Sequence, residues 1–145
     1  MNHSPAEIMA KVLRDEGIFN AHDSAVWPLW ISFLPDTKAQ GAALYDTSPE
    51  RDTRVLADGK SYWAWGLQLL VRSSGYQAGW QKAVEAATYL DTYGNEIVVM
   101  SEETDADEYH VDSVQLTTKV LPLGTDSDTQ MQMFSLNALL RFRGE

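Results

Sequence analysis

Any chemistry in this sequence has to come from histidines, carboxylates, hydroxyls and lysines, because it contains no cysteine. Thiolate nucleophiles, cysteine metal sites and disulfides are excluded at once. The three histidines, His3, His22 and His110, are far apart, and none sits in an H-x-x-x-H or H-E-x-x-H spacing. There is no G-x-G-x-x-G, no G-x-x-x-x-G-K-S/T and no G-x-S-x-G. "SSGYQAG" places Gly75 and Gly79 at the start of a helical pattern. That arrangement can face an anion, but a helix cap at Ser73 or Ser74 accounts for the same residues more simply. Carboxylates are plentiful, and five of them, Glu102, Glu103, Asp105, Asp107 and Glu108, fall within "SEETDADE". Paired carboxylates do acid–base work only in a cleft that moves their pKa values apart. A turn-like acidic run is a solvated surface by default. No catalytic constellation, metal site or cofactor motif emerges, so the expectation is a protein that is not an enzyme.

The other unusual stretch is residues 45–63, "YDTSPERDTRVLADGKSYW". It is polar, carries seven charges and has no apolar period. Connections in compact domains usually take about 4–6 residues, and those beyond about 12–15 tend to be functional or disordered. The sequence predicts an extended polar arm at about 46–62. Glu50, Arg51, Asp52 and Arg54 alternate in sign there. Such patterning favours register and specificity at a contact between subunits.

The elements that must carry these features fit one domain over residues 1–145. A chain of this length buries roughly two thirds of its unfolded surface, enough for a core without metal or disulfide. The apolar fraction is 44%, and five tryptophans supply large core or interface pieces. The formal net charge is −10. Lysine and arginine form no basic stripe, which argues against a phosphate-gripping nucleic-acid reader. No apolar run approaches the roughly 20 residues of a membrane span, and "MNHSPAEIMAKVL" does not read as a signal peptide.

"SPAEIMAKVLRDEG" predicts a helix, with Ser4 and Glu7 as a capping box, Pro5 in the first turn, an apolar stripe through Ile8 and Val12, and Gly17 closing it. "WPLWISFLP" and "AALYDT" read as strands. In "WAWGLQLLVRS", Trp65, Leu67, Leu69 and Val71 share one strand face. A second helix follows, whose Trp80, Val84, Ala87 and Leu90 are expected to face that strand, with Gly94 just past its end. "NEIVVM" is a strand. "YHVDSVQLTTKVLPLG" and "QMQMFSLNALLRFR" are predicted as two long strands of a C-terminal hairpin. In the second, Phe134, Leu136, Ala138, Leu140 and Phe142 point inward, while Met131 and Met133 are candidates for a surface that meets a partner. At about 3.3 Å per residue, residues 131–143 would span roughly 43 Å, the full width of such a domain. The fold class is α+β: a single domain with a mixed β-sheet, two helices packed on one face and a long C-terminal β-hairpin.

The order of these segments resembles the tail-terminator (minor capsid) proteins of long, non-contractile-tailed bacteriophages. The likeness runs over nearly the whole chain: "SPAEIMAKVLRDEGI", "WPLWISFLPD", "YDT" before an arm with "RDTRVLADG", "GLQLLVRSSGYQAGWQKAVEAATYLD", and "PLGTDSDTQMQMFSLNALLRF". Each motif alone is weak; their order and spacing carry the resemblance. The closing turn "GTDSDTQMQ" departs from the pattern, since an arginine is expected after the Asp.

The resemblance implies a structural virion protein of the tail neck, assembled in the cytoplasm of a bacterial host. Such a protein forms a homo-oligomeric ring of six subunits that caps the head-proximal end of the tail tube. It stops tube elongation and offers a surface to the head-completion or connector protein. DNA would pass through the lumen without specific binding, with the acidic turn Glu102, Glu103, Asp105, Asp107 and Glu108 as candidate lining. No membrane is involved. Close alternatives are another neck protein, of the head-completion or stopper kind, or a tail-tube subunit. A small soluble ligand-binding protein or enzyme would need a pocket with convergent polar groups, which no cluster in the sequence predicts.

Overall fold

Ser4 starts the first helix as its neighbours require. Its Oγ accepts from the Glu7 N–H at 3.2 Å, and Glu7 Oε2 accepts from the Ser4 N–H at 2.6 Å. The helix, α1, runs Pro5–Asp15. It ends where Gly17 turns left-handed at φ 81°. There the Gly17 N–H reaches Arg14 O and the Ile18 N–H reaches Leu13 O, which satisfies two carbonyls that the helix would leave bare. In the computed structural model, residues 2–36, 40–52, 62–100 and 108–143 are described.

The strands are β1 (Leu29–Ile31), β2 (Gly41–Asp52), β3 (Tyr62–Ser73), β4 (Gly94–Val99), β5 (Glu108–Leu116), β6 (Leu121–Thr125) and β7 (Gln132–Phe142), and the second helix, α2, is Tyr76–Thr92. They form one mixed sheet in the order β1-β2-β3-β7-β5-β4, with β6 also on β7. Only β1 and β2 pair in parallel. The sheet curls as a half-barrel. Helix α1 lies against β1, β2 and β3, and α2 against β3, β5 and β7.

One cluster of buried side chains joins these pieces. Leu67, Leu69 and Val71 of β3 and Phe134, Leu136, Ala138 and Leu140 of β7 share it with Ile8, Met9 and Leu13 of α1 and Ala83, Ala86 and Leu90 of α2. The inward faces of β3 and β7 are those the alternation predicts. The far side of the sheet is not bare either. Arg72 is 1% exposed and donates to Pro35 O, which ties the segment after β1 across that side. Burial pulls this guanidinium below its usual range, while Asp126, Asp36 and Tyr45 favour its charged form.

Several local expectations give way. The first predicted strand shrinks from nine residues to Leu29–Ile31, because Trp27 and Ser32 on either side of it take positive φ and Pro28 and Pro35 have no N–H to pair. Gly94 does follow the C-cap of α2, Tyr93, as expected, but without a left-handed turn. It opens β4, where an added Cβ would stand 3.0 Å from Asp112 O, a tight approach of the two strands. The segment expected as one strand, residues 109–124, is split. Leu116 faces Ala138 and Leu121 faces Ser135, so five steps along one chain answer three along β7. The excess is absorbed at Thr117 and Thr118, whose N–H and Oγ1 bond the backbone of Asn137 in place of ladder partners. Met131 does not face outward: it is buried in the turn that Asp126 organises by accepting from the Asp128 N–H and the Thr129 hydroxyl.

On α2 the buried face is Gly79, Ala83, Ala86, Ala87 and Leu90. Val84 is exposed, contrary to expectation, and Trp80 is half-buried with its edge on Phe134, ring centroids 6.3 Å apart. The helix sits closer to the sheet than the bulky side chains implied. An added Cβ at Gly79 would lie 2.5 Å from Phe134 Cε2 and 2.9 Å from Ser73 Cβ. Gly79→Ala should therefore lose about 1–3 kcal/mol to overpacking, outweighing the roughly 1 kcal/mol that alanine gains in helix propensity. Denaturant unfolding measures it, and a stabilised variant would mean the helix stands further off. Trp80→Ala should cost less than the roughly 3–5 kcal/mol of a fully buried tryptophan.

Candidate functional site

The segment read as an arm is a β-ribbon at both of its ends. Residues 46–52 are strand, continuous with β2, and Glu50, Arg51 and Asp52 pair with Ala64, Trp63 and Tyr62. This corrects the expectation of a connection without strand structure, and the reason is physical. β1 accompanies β2 only from Ala42 to Leu44, and β7 accompanies β3 only from Trp65 to Ser73. Among the described residues the outer rungs have no third strand, and Glu50 and Trp63 are exposed while only the small Ala64 is buried, so they show no apolar alternation to read. A two-stranded ribbon in water is marginally stable at best. Arg54 lies outside the described residues.

The ribbon leaves the sheet at a kink. Its register shifts between Thr47 and Glu50, and Ser48 and Pro49 form the bulge. Proline without an N–H suits such a place. Gly66 on β3 makes room for it, because a Cβ there would lie 2.0 Å from Thr47 Oγ1 and 2.9 Å from Ser48 O. Beyond the kink, Pro49 and Glu50 are exposed, and Trp63 is 43% exposed. A large aromatic left in water, in a sequence stretch with charges of both signs, has the composition of an interface anchor.

Of the acidic turn, Glu102, Glu103, Asp105 and Asp107 lie outside the described residues. Glu108 is the first residue of β5, paired with Val99 and exposed. The histidines stay apart. His3 meets the Tyr109 hydroxyl through Nδ1 at 3.1 Å, and His110 Nε2 meets Asn95 Oδ1 at 2.9 Å. Among the described residues no three of His, Asp and Glu gather as metal ligands would. No described helix is long and apolar enough to cross a membrane.

The cap expected at Ser73 or Ser74 of "SSGYQAG" does not form. The N-cap of α2 is Gly75, with no side-chain cap, while Ser73 Oγ accepts from the Gly75 N–H. Gly79 serves the contact with Phe134.

The groove sequence reasoning missed lies where both helices end against β4. It has a volume of about 880 Å³ and is lined by Lys11, Asp15, Glu16, Tyr89, Tyr93 and Glu96 together with apolar β4 residues. Lys11 and Asp15 form an i, i+4 ion pair at 2.7 Å. Burial, with Tyr89, Glu96 and Asp15 nearby, pushes Tyr93 up to about 12, and burial and Glu16 likewise raise Tyr89. These phenols are poor proton-transfer groups at neutral pH. The groove is open, negative and aromatic, which suits contact with a cationic surface better than acid–base chemistry. It joins residues 80 positions apart, and no local spacing announces it.

Gly66→Ala tests the kink. Any Cβ there must displace the Thr47–Ser48 backbone, so amide exchange in residues 50–52 and 62–64 should speed up while the core amides stay protected. Unchanged exchange would show that Gly66 does not shape the arm. No protein family matches the chain, and comparison with curated proteins finds no match.

Proposed function

We propose that this chain is a ring-forming virion protein of the tail-terminator kind, and that its β2–β3 arm makes a contact between subunits. The observation that carries this reading is the ribbon: rungs Glu50↔Ala64 to Asp52↔Tyr62 without sheet neighbours among the described residues, with Trp63 exposed, in a sequence stretch that carries charges of both signs. A ribbon of this kind is marginal alone and gains support when another surface covers it. A head-to-tail ring closes only if two different patches of one subunit are complementary. The arm is a natural candidate for one of them.

In this reading two helices pack on one face of the sheet, and the closing hairpin that includes β7 forms the rigid body of each subunit. Six copies cap the head-proximal end of a tail tube and present their other side to a head-completion or connector protein. The work is geometric and needs no catalytic residue. The acidic segment that ends at Glu108 is proposed to line the lumen. Salt screens such a surface beyond about 8–10 Å, so it acts on DNA only at close range.

Two outcomes test the reading. Reversal of Arg51 and Arg54 to Glu should abolish rings seen by negative-stain microscopy at raised protein concentration, while the melting temperature holds, since exposed charge pairs contribute only about 0–1 kcal/mol. Intact rings would remove the arm from the contact. Loss of the gene should give tails of irregular, excessive length and heads without tails; normal tail lengths would rule out the terminator role.

A further inference from the structure

The ring reading leaves open what receives the arm. We propose that the acceptor is the outer edge of β4, with the groove beside it, on a second copy of this chain; the proposal rests on that reading and gives it the complementary patch.

Among the described residues β4 pairs only with β5, so its outer backbone edge has no partner. Proteins usually protect such edges with proline, charges or a covering segment. β4, "GNEIVV", has no proline and one charge, Glu96. Ile97 is 61% exposed and Val99 is exposed as well. The free edge of β2 beyond β1 differs: it carries Pro49, Asp46, Glu50 and a bulge. Among the described residues the edge of β6 also exposes Leu121 and Leu123 but carries Pro122, so β4 is the edge that is apolar, free of proline and beside a groove.

Charge then selects the occupant. Asp15, Glu16 and Glu96 line the groove at this edge against one cation, Lys11, which is paired with Asp15. α1 ends at Asp15 and α2 at Thr92, so the negative ends of both helices lie at the groove. The last turn of α2 has no basic residue to offset this. Burial first, and the carboxylates of the groove after it, raise Tyr89 and Tyr93. A second groove would be repelled from it. The arm is suited to it: residues 51–60, "RDTRVLADGK", hold Arg51, Arg54 and Lys60 against two aspartates, in a chain with net charge −10. Val55 and Leu56, in the same stretch, supply apolar side chains for an edge that exposes Ile97 and Val99.

Placement agrees with charge. β2 lies near one end of the strand order and β4 at the other. Complementary patches at opposite ends of a subunit make a heterologous contact, the kind that closes into a ring or runs on as a filament.

The lack of native cysteine allows a direct test. Ile97→Cys on one copy and Arg54→Cys on another are mixed and oxidised, each variant having first been checked for native circular dichroism. The mixture should give a cross-linked dimer that neither variant gives alone. The double variant should give a ladder of oligomers, and Glu96→Arg should abolish both. Arg51→Cys in place of Arg54→Cys serves as the second arm position. Absence of the heterologous cross-link at both arm positions overturns the proposal; if rings are still seen by microscopy, the ring reading survives without this acceptor. A cross-link without rings keeps the contact and defeats the ring.

Discussion

Both edges of β7 are taken. β3 pairs along one of them from Trp65 to Ser73, and β5 and β6 share the other. Its inward side chains, Phe134 to Leu140, sit at the centre of the buried cluster. Every other element is placed by reference to this strand. α2 comes close enough to it that only a glycine fits at position 79 over Phe134. The two-residue excess at Thr117 and Thr118 exists because β5 and β6 must follow one β7 in two separate registers. With the centre satisfied on both sides, backbone pairing capacity among the described residues is left at the periphery, at β1, the β2–β3 ribbon, β4 and the outer side of β6. The surfaces suited to assembly are therefore those that the strand order leaves over.

What could be read from the sequence follows from where each signal comes from. The cap of α1 was legible because Ser4, Pro5, Glu7 and Gly17 act locally. The inward faces of β3 and β7 were legible because each strand has one buried face and so alternates. Three kinds of feature were hidden. The ribbon at 46–52 has no buried face and looked like loop. The face of α2 was misjudged at Val84 because the contact is made by small residues, Gly79, Ala83 and Ala86, which a search for bulky periodicity discounts. The groove was invisible because Asp15, Tyr93 and Glu96 meet only through tertiary structure.

The resemblance expected an arginine after the Asp of the closing turn, and this chain has none there. Asp126 instead binds its own turn through Asp128 and Thr129, and lies in the field of Arg72 from β3. The positive charge near Asp126 is supplied by Arg72 of β3, which also holds Pro35. The turn, the segment after β1 and β3 are thereby coupled through one guanidinium.

The position of β7 late in the chain has a consequence for synthesis. Leu67 meets Ala138 and Leu69 meets Leu136, so the sheet cannot close until more than sixty further residues have left the ribosome. At about 5–20 residues per second this leaves several seconds with the core unmade. The β2–β3 ribbon is local in sequence and hairpins form within about 1–10 μs, so it samples its paired form, marginally stable as that is, long before the body that holds it. During that interval nascent chains on one message sit side by side with ribbons displayed and centres open. Pro49 and the charges of that stretch of sequence then act as safeguards against strand exchange between nascent chains.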